Sequence, residues 1–66
     1  MVAKELVDLW NDGDERVIII YESPNPEEVL FENTEKVFLK SPFCKRAVKE
    51  WLVYHHNDEA VLEMGV

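Results

Sequence analysis

Glycine is scarce in this chain of 66 residues, which holds only Gly13 and Gly65. That excludes a glycine-rich phosphate loop, which needs several glycines at short fixed spacing so that backbone N–H groups can cradle an anion. Cysteine is scarcer still. With Cys44 alone, neither an internal disulfide framework nor a zinc site built on cysteines can form. A reducing, cytoplasmic compartment is the natural reading. No apolar run approaches the ~18 residues that a membrane span needs. Met1-Val2-Ala3-Lys4-Glu5 has no leader pattern, so neither a membrane nor an export role is expected. Cations are also few: seven against fourteen acids, for a formal charge of −7.

No catalytic constellation stands out. There is no strained nucleophile elbow. Glu27 and Glu28 are adjacent rather than spaced as an acid–base pair. His55 and His56 neighbour Asp58 and Glu59, but adjacent helical histidines point about 100° apart and seldom share one metal ion. The expectation is a non-enzymatic protein without a cofactor or metal.

What remains is one domain, residues 1–66. A chain this short buries only about 60% of its unfolded surface, so self-association, as a dimer, is expected to supplement the core.

Val2, Ala3, Leu6, Val7, Leu9 and Trp10 group on one side of a helix over 2–11, closed by Asn11-Asp12-Gly13. With no side-chain N-cap, its start is expected to fray. Val17-Ile18-Ile19-Ile20-Tyr21 is β-branched and continuous, the mark of a central strand over 16–22. Ser23-Pro24-Asn25-Pro26 breaks the chain. Strands over 28–32 and 36–40 follow as a hairpin, the second an edge strand with Phe38 exposed between Lys36 and Lys40.

Ser41 as N-cap and Pro42 at the first helical position then open a longer helix over 42–56. Phe43, Cys44, Ala47, Val48, Trp51, Leu52, Tyr54 and His55 share its apolar half, with Trp51 a better core candidate than Trp10. Lys45, Lys49, Arg46 and Val53 belong to the outer ridge. The tail from Ala60 reads first as a helix closed by Gly65; the alternative is a strand with Leu62, Met64 and Val66 on one face. The fold class is α+β: a small antiparallel three-stranded meander covered by two helices.

The segment Val37-Phe38-Leu39-Lys40-Ser41-Pro42-Phe43-Cys44-Lys45-Arg46-Ala47 resembles the strand–turn–helix junction of glutaredoxins and related thioredoxin-fold proteins. Their motif is Cys-Pro-Tyr/Phe-Cys at a helix start. In that family the first cysteine is the nucleophile, and Ser41 stands in its place here. Cys44 matches the resolving position. The family also has a proline before a later strand, and no proline follows Pro42. The resemblance implies a thiol or redox role at Cys44, which a helix N-terminus and the neighbouring Lys45 and Arg46 would favour by stabilising thiolate. The departures keep the activity from being carried over, and a buried structural cysteine is the plainer reading.

Charge placement supplies the functional expectation. Five of the seven cations, Lys36, Lys40, Lys45, Arg46 and Lys49, fall in one stretch without an acid. Acids at Asp12, Asp14, Glu15, Glu22, Glu27, Glu28, Glu32 and Glu35 fit a stripe on loops and strand ends. The leading reading is a small acidic protein-interaction module. In size and charge it is similar to phage-type inhibitors or regulators of a larger partner, with Lys36, Phe38, Lys40, Lys45, Arg46, Lys49 and Val53 as the partner-binding residues. The first alternative is nucleic-acid binding through the same cations, which the net charge opposes. The thiol role at Cys44 is the second.

Overall fold

The computed structural model describes residues 1–10 and 16–66. The β-branched run forms β1 (Arg16–Tyr21), and it is central. On one side β1 pairs antiparallel with β2 (Val29–Thr34); on the other it pairs parallel with β4 (Glu59–Gly65). β4 pairs antiparallel in turn with β3 (Glu50–His56). The sheet is mixed and four-stranded, in the order β2-β1-β4-β3. It lies against an N-terminal helix, α1 (Ala3–Leu9), a short helix, α2 (Glu35–Phe38), and a 3-10 turn at Pro42–Lys45. The α+β class stands; the three-stranded antiparallel meander is corrected.

The first correction is at 36–40. β2 runs on to Thr34, beyond the expected 32, and leaves no room for a hairpin turn. Residues Glu35–Phe38 coil into one helical turn instead. That turn brings Phe38 back over the sheet, where it is wholly buried and meets Phe31 edge-on, ring centroids 6.0 Å apart.

The second correction is the long helix over 42–56. Its start signals are genuine but local. Ser41 and Pro42 open only the four-residue turn Pro42–Lys45. Beyond it, Ala47 bridges to Val2, the Ala3 N–H donates to the Arg46 carbonyl at 2.8 Å, and the Val48 N–H donates to the Met1 carbonyl at 2.9 Å. These bonds pull the chain out of helix and anchor the start of α1, where fraying was expected. Half of a capping box helps: the Glu5 carboxylate accepts from the Val2 N–H at 2.9 Å, while Val2 has no side-chain acceptor to return. Trp51, Val53 and Tyr54 are good strand formers, and they complete β3. Asn57 and Asp58 have φ of 51° and 64°. Positive φ at both central residues of a two-residue loop is a type I′ hairpin turn, which Asn and Asp tolerate and which matches strand twist. The tail is therefore a strand. The expected cap of α1 at Asn11-Asp12-Gly13 lies outside the described residues.

Strand alternation sorts the sheet into two faces. Ile18, Ile20, Leu62 and Met64 point to one side and pack with Ala3, Leu6, Val7, Phe38 and Cys44 as the core. Arg16, at the start of β1, ties this layer together. Its guanidinium donates to the Trp10 carbonyl, forms an ion pair with Glu35, and lies 5.0 Å from the centroid of the Trp10 ring. Trp10 packs on the core and Trp51 is 57% exposed, the reverse of the sequence expectation.

At the far end of β4 the Tyr21 ring lies across Gly65. A Cβ on Gly65 would stand 2.8 Å from Tyr21 Cε2 and 2.8 Å from Glu50 Cγ. Gly65→Ala is therefore expected to destabilise the fold by about 1–3 kcal/mol through overpacking. The measurement is the denaturant midpoint at unchanged slope. In Gly65→Ala/Tyr21→Ala the two losses sum to less than additive, because the clash has been removed. An unshifted midpoint in Gly65→Ala contradicts this packing.

Candidate interaction surface

The second face of the sheet carries no helix among the described residues, since α1, α2 and the 3-10 turn all pack on the Ile18 and Ile20 side. Register lays the side chains out in rows. Thr34, Val17, Val61 and Tyr54 form one row, and Glu32, Ile19, Glu63 and Leu52 form the next. Tyr21, Gly65 and Glu50 form a third. Val61 and Tyr21 are buried on this face. Leu52 is 57% exposed. The result is an apolar strip with carboxylates at Glu32, Glu63 and Glu50, and these rows hold no lysine or arginine.

The carboxylates are held by hydroxyls. Tyr54 donates to Glu63 Oε1 at 3.2 Å, and Ser23 donates to Glu50 Oε1 at 2.8 Å. Both phenols are pushed above the ordinary tyrosine value. Burial is the main cause in each; the adjoining carboxylate adds to it, Glu50 for Tyr21 and Glu63 for Tyr54.

The residues expected to bind a partner fall on several elements. Lys36 is on α2, Lys40 on the turn after it, Lys45 on the 3-10 turn, and Arg46 and Lys49 on the strand approach; all five are exposed. The ridge that was to unite Lys45, Arg46, Lys49 and Val53 disappears with its helix. Val53 is half-buried and faces the core from β3. Phe38 is a core residue, so the exposed aromatic anchor is corrected as well. Among the described residues Arg16 forms an ion pair with Glu35. Of the acidic stripe, Asp12, Asp14 and Glu15 lie outside the described residues. Glu35 is engaged by Arg16, while Glu22, Glu27, Glu28 and Glu32 are exposed.

Cys44 is buried in the core. The strand–turn–helix junction that resembled glutaredoxins is a helical turn followed by a 3-10 turn, and the helix-dipole argument for a reactive thiol goes with the missing helix. His55 and His56 lie on β3 and point to opposite faces, His56 in register with Glu59 across the hairpin. No group of three or more His, Cys, Asp or Glu among the described residues could hold a metal ion. Among the described residues no helix is long and apolar enough to cross a membrane. No family model, curated protein or solved structure matches the chain.

Sequence reasoning missed the bare face because it hangs on β4. Glu63 was the available signal: a carboxylate amid the apolar tail fits a central strand only if one face stays open to water.

The tyrosines give a test of this surface. A folded-state value above 10.0 means the unfolded chain ionises first as pH rises, so their stability contribution is intact below 10.0 and lost above it. Spectrophotometric titration of the native protein is expected to show both phenols ionising above 10.0. Tyr21→Phe/Tyr54→Phe is expected to lose less stability over the same alkaline range than the wild type. Native phenols that titrate at or below the ordinary value contradict the arrangement.

Proposed function

We propose that this protein is a small, non-enzymatic protein-interaction module that regulates or inhibits a larger partner, and that the bare sheet face is its docking surface. The observation that carries the reading is the apolar strip of Val17, Ile19, Leu52 and Tyr54 set among Glu32, Glu50 and Glu63 with no compensating cation in its rows. Covering such a face with a purely apolar surface would strand Glu63 and Glu32 away from water, which is costly. A partner with lysine or arginine amid apolar side chains satisfies both demands. Electrostatic complementarity of that kind sets the approach rate and excludes wrong partners. An inhibitor that covers a basic site on its target would use this chemistry.

The test uses Glu32→Lys/Leu52→Lys, because both positions are exposed and the variant should keep the wild-type circular dichroism. Immobilised wild-type protein is expected to capture a basic partner, with binding that weakens as salt rises. The double variant is expected to lose roughly tenfold or more in affinity, the scale of removing one interface hot spot. Lys45→Glu/Lys49→Glu should bind as the wild type does. Equal capture by Glu32→Lys/Leu52→Lys would rule out this face as the docking surface.

A further inference from the structure

The sheet ends on β2 at one side and on β3 at the other, and the two edges differ. β2 is irregular: its register slips between Ile20 and Tyr21 of the neighbouring strand, leaving Leu30 unpaired. The Asn33 side chain accepts from the Thr34 N–H at 2.8 Å, and Glu32 stands on the strand. Bulges and edge charges are the usual devices against edge-to-edge pairing. β3 carries its one carboxylate, Glu50, at its first residue; it has neither lysine nor proline, pairs without interruption over seven residues, and exposes Trp51 and Leu52.

We infer that the occupant of the β3 edge is the β3 of a second copy of this chain, antiparallel and centred on Val53. Backbone parity permits this register. The two-residue turn makes His56 and Glu59 the hydrogen-bonded pair that closes the hairpin, so the even-numbered residues of β3 direct their N–H and C=O groups into β4. Trp51 and Val53 then direct theirs to the open edge. A two-fold axis through Val53 lets the two valines exchange a pair of backbone hydrogen bonds. It also aligns all seven residues of each strand.

Side chains fit the same register. Glu50 comes opposite His56 of the second copy, so a carboxylate acceptor meets an imidazole N–H at each end. Leu52 comes opposite Tyr54, and Trp51 opposite His55. Neither like charges nor two acids face one another across the axis, which would oppose pairing. A second feature leads to the same place. An open apolar groove of about 380 Å³ runs along the core side of β3, lined by Met1, Leu9, Trp51 and Val53 among others. Leu9 is 71% exposed. Pairing about Val53 sets this groove beside its own copy, so that the exposed Leu9, Met1 and Trp51 of both chains close over one continuous apolar layer. Apolar burial of that kind is what a core of this size lacks.

The inference uses the edge and the groove, and it stands independently of the sheet-face reading above. The two also respond oppositely to salt. Copies that each carry −7 repel, so the dimer tightens as ionic strength rises, whereas a basic partner on the sheet face is released.

Sedimentation equilibrium of the full chain over a range from micromolar to millimolar is the test. The wild type is expected to approach twice its 7.8 kDa mass, more completely in high salt. Trp51→Lys is expected to weaken the dimer roughly tenfold or more by placing a charge on the edge. Chemically synthesised protein with an N-methyl group on Val53 changes no side chain and blocks the central bond; it is expected to be monomeric. Leu52→Cys/Tyr54→Cys should form a disulfide-linked dimer on mild oxidation. A wild-type monomer throughout the range overturns the inference. So does a dimer that survives N-methylation of Val53, which would place the second copy elsewhere, such as the bare sheet face.

Discussion

Everything in this fold depends on β4 finding β1 and β3 on either side of it. Glu59–Gly65 is the last strand in sequence and an inner strand in space. Its backbone is paired along both edges, and its Leu62 and Met64 complete the core that Ile18 and Ile20 begin. Two local devices make that insertion possible. Asn57 and Asp58 accept positive φ, which turns β3 back on β4 without a longer loop. Gly65 leaves room for the Tyr21 ring where any Cβ would collide. Without the turn, β3 has no partner. Without β4, the central β1 loses its parallel neighbour and the apolar layer above it is incomplete.

The same strand explains why the protein has two unlike faces. On one side of β4, Leu62 and Met64 are sealed beneath α1, α2 and the 3-10 turn. On the other, Val61 and Glu63 share a face that no described helix covers. Glu63 makes sense only there. In the sealed core an ionised carboxylate would lose its hydration; on the open face it is held by Tyr54 and reaches water. A surface that is both apolar and acidic is what the proposed choice of a basic partner rests on. The five exposed cations lie in the segment that crosses from α2 to the start of β3, leaving the bare face acidic.

Much of this was legible in the sequence, and the errors have physical causes. β1 was readable because five consecutive strand formers admit no helical face. α1 was readable because its apolar positions repeat at the helical period. β2 could be placed because a strand former run follows a firm Pro-Asn-Pro break. The stretch 42–56 was misread because its apolar residues satisfy two periods at once. Trp51 and Val53 alternate as a strand requires, while Ala47, Val48, Trp51 and Leu52 also recur as a helix requires. Ser41 and Pro42 correctly announce a helical start but carry no information on its length. What settles the matter is non-local: the hydrogen bonds of residues 46 and 48 to the start of α1, and a partner strand beyond Asn57 and Asp58. Residues 36–40 fail for a related reason. Alternation over five residues fits a strand, but only a helical turn delivers Phe38 to Phe31. The bare face was hidden because it exists only once β4 is inserted.

Native-state hydrogen exchange, followed residue by residue, tests the central place of β4 most directly. The account predicts that amides of residues 18–20 and 61–64 exchange together and slowest, through global unfolding, since both segments lie inside the sheet with partners on each side. It also predicts faster exchange within residues 43–49, where no regular ladder protects the chain. Uniform slow exchange through residues 42–56, with rapid exchange from residue 59 onward, would be the pattern of a long helix and a loose tail, and would contradict it.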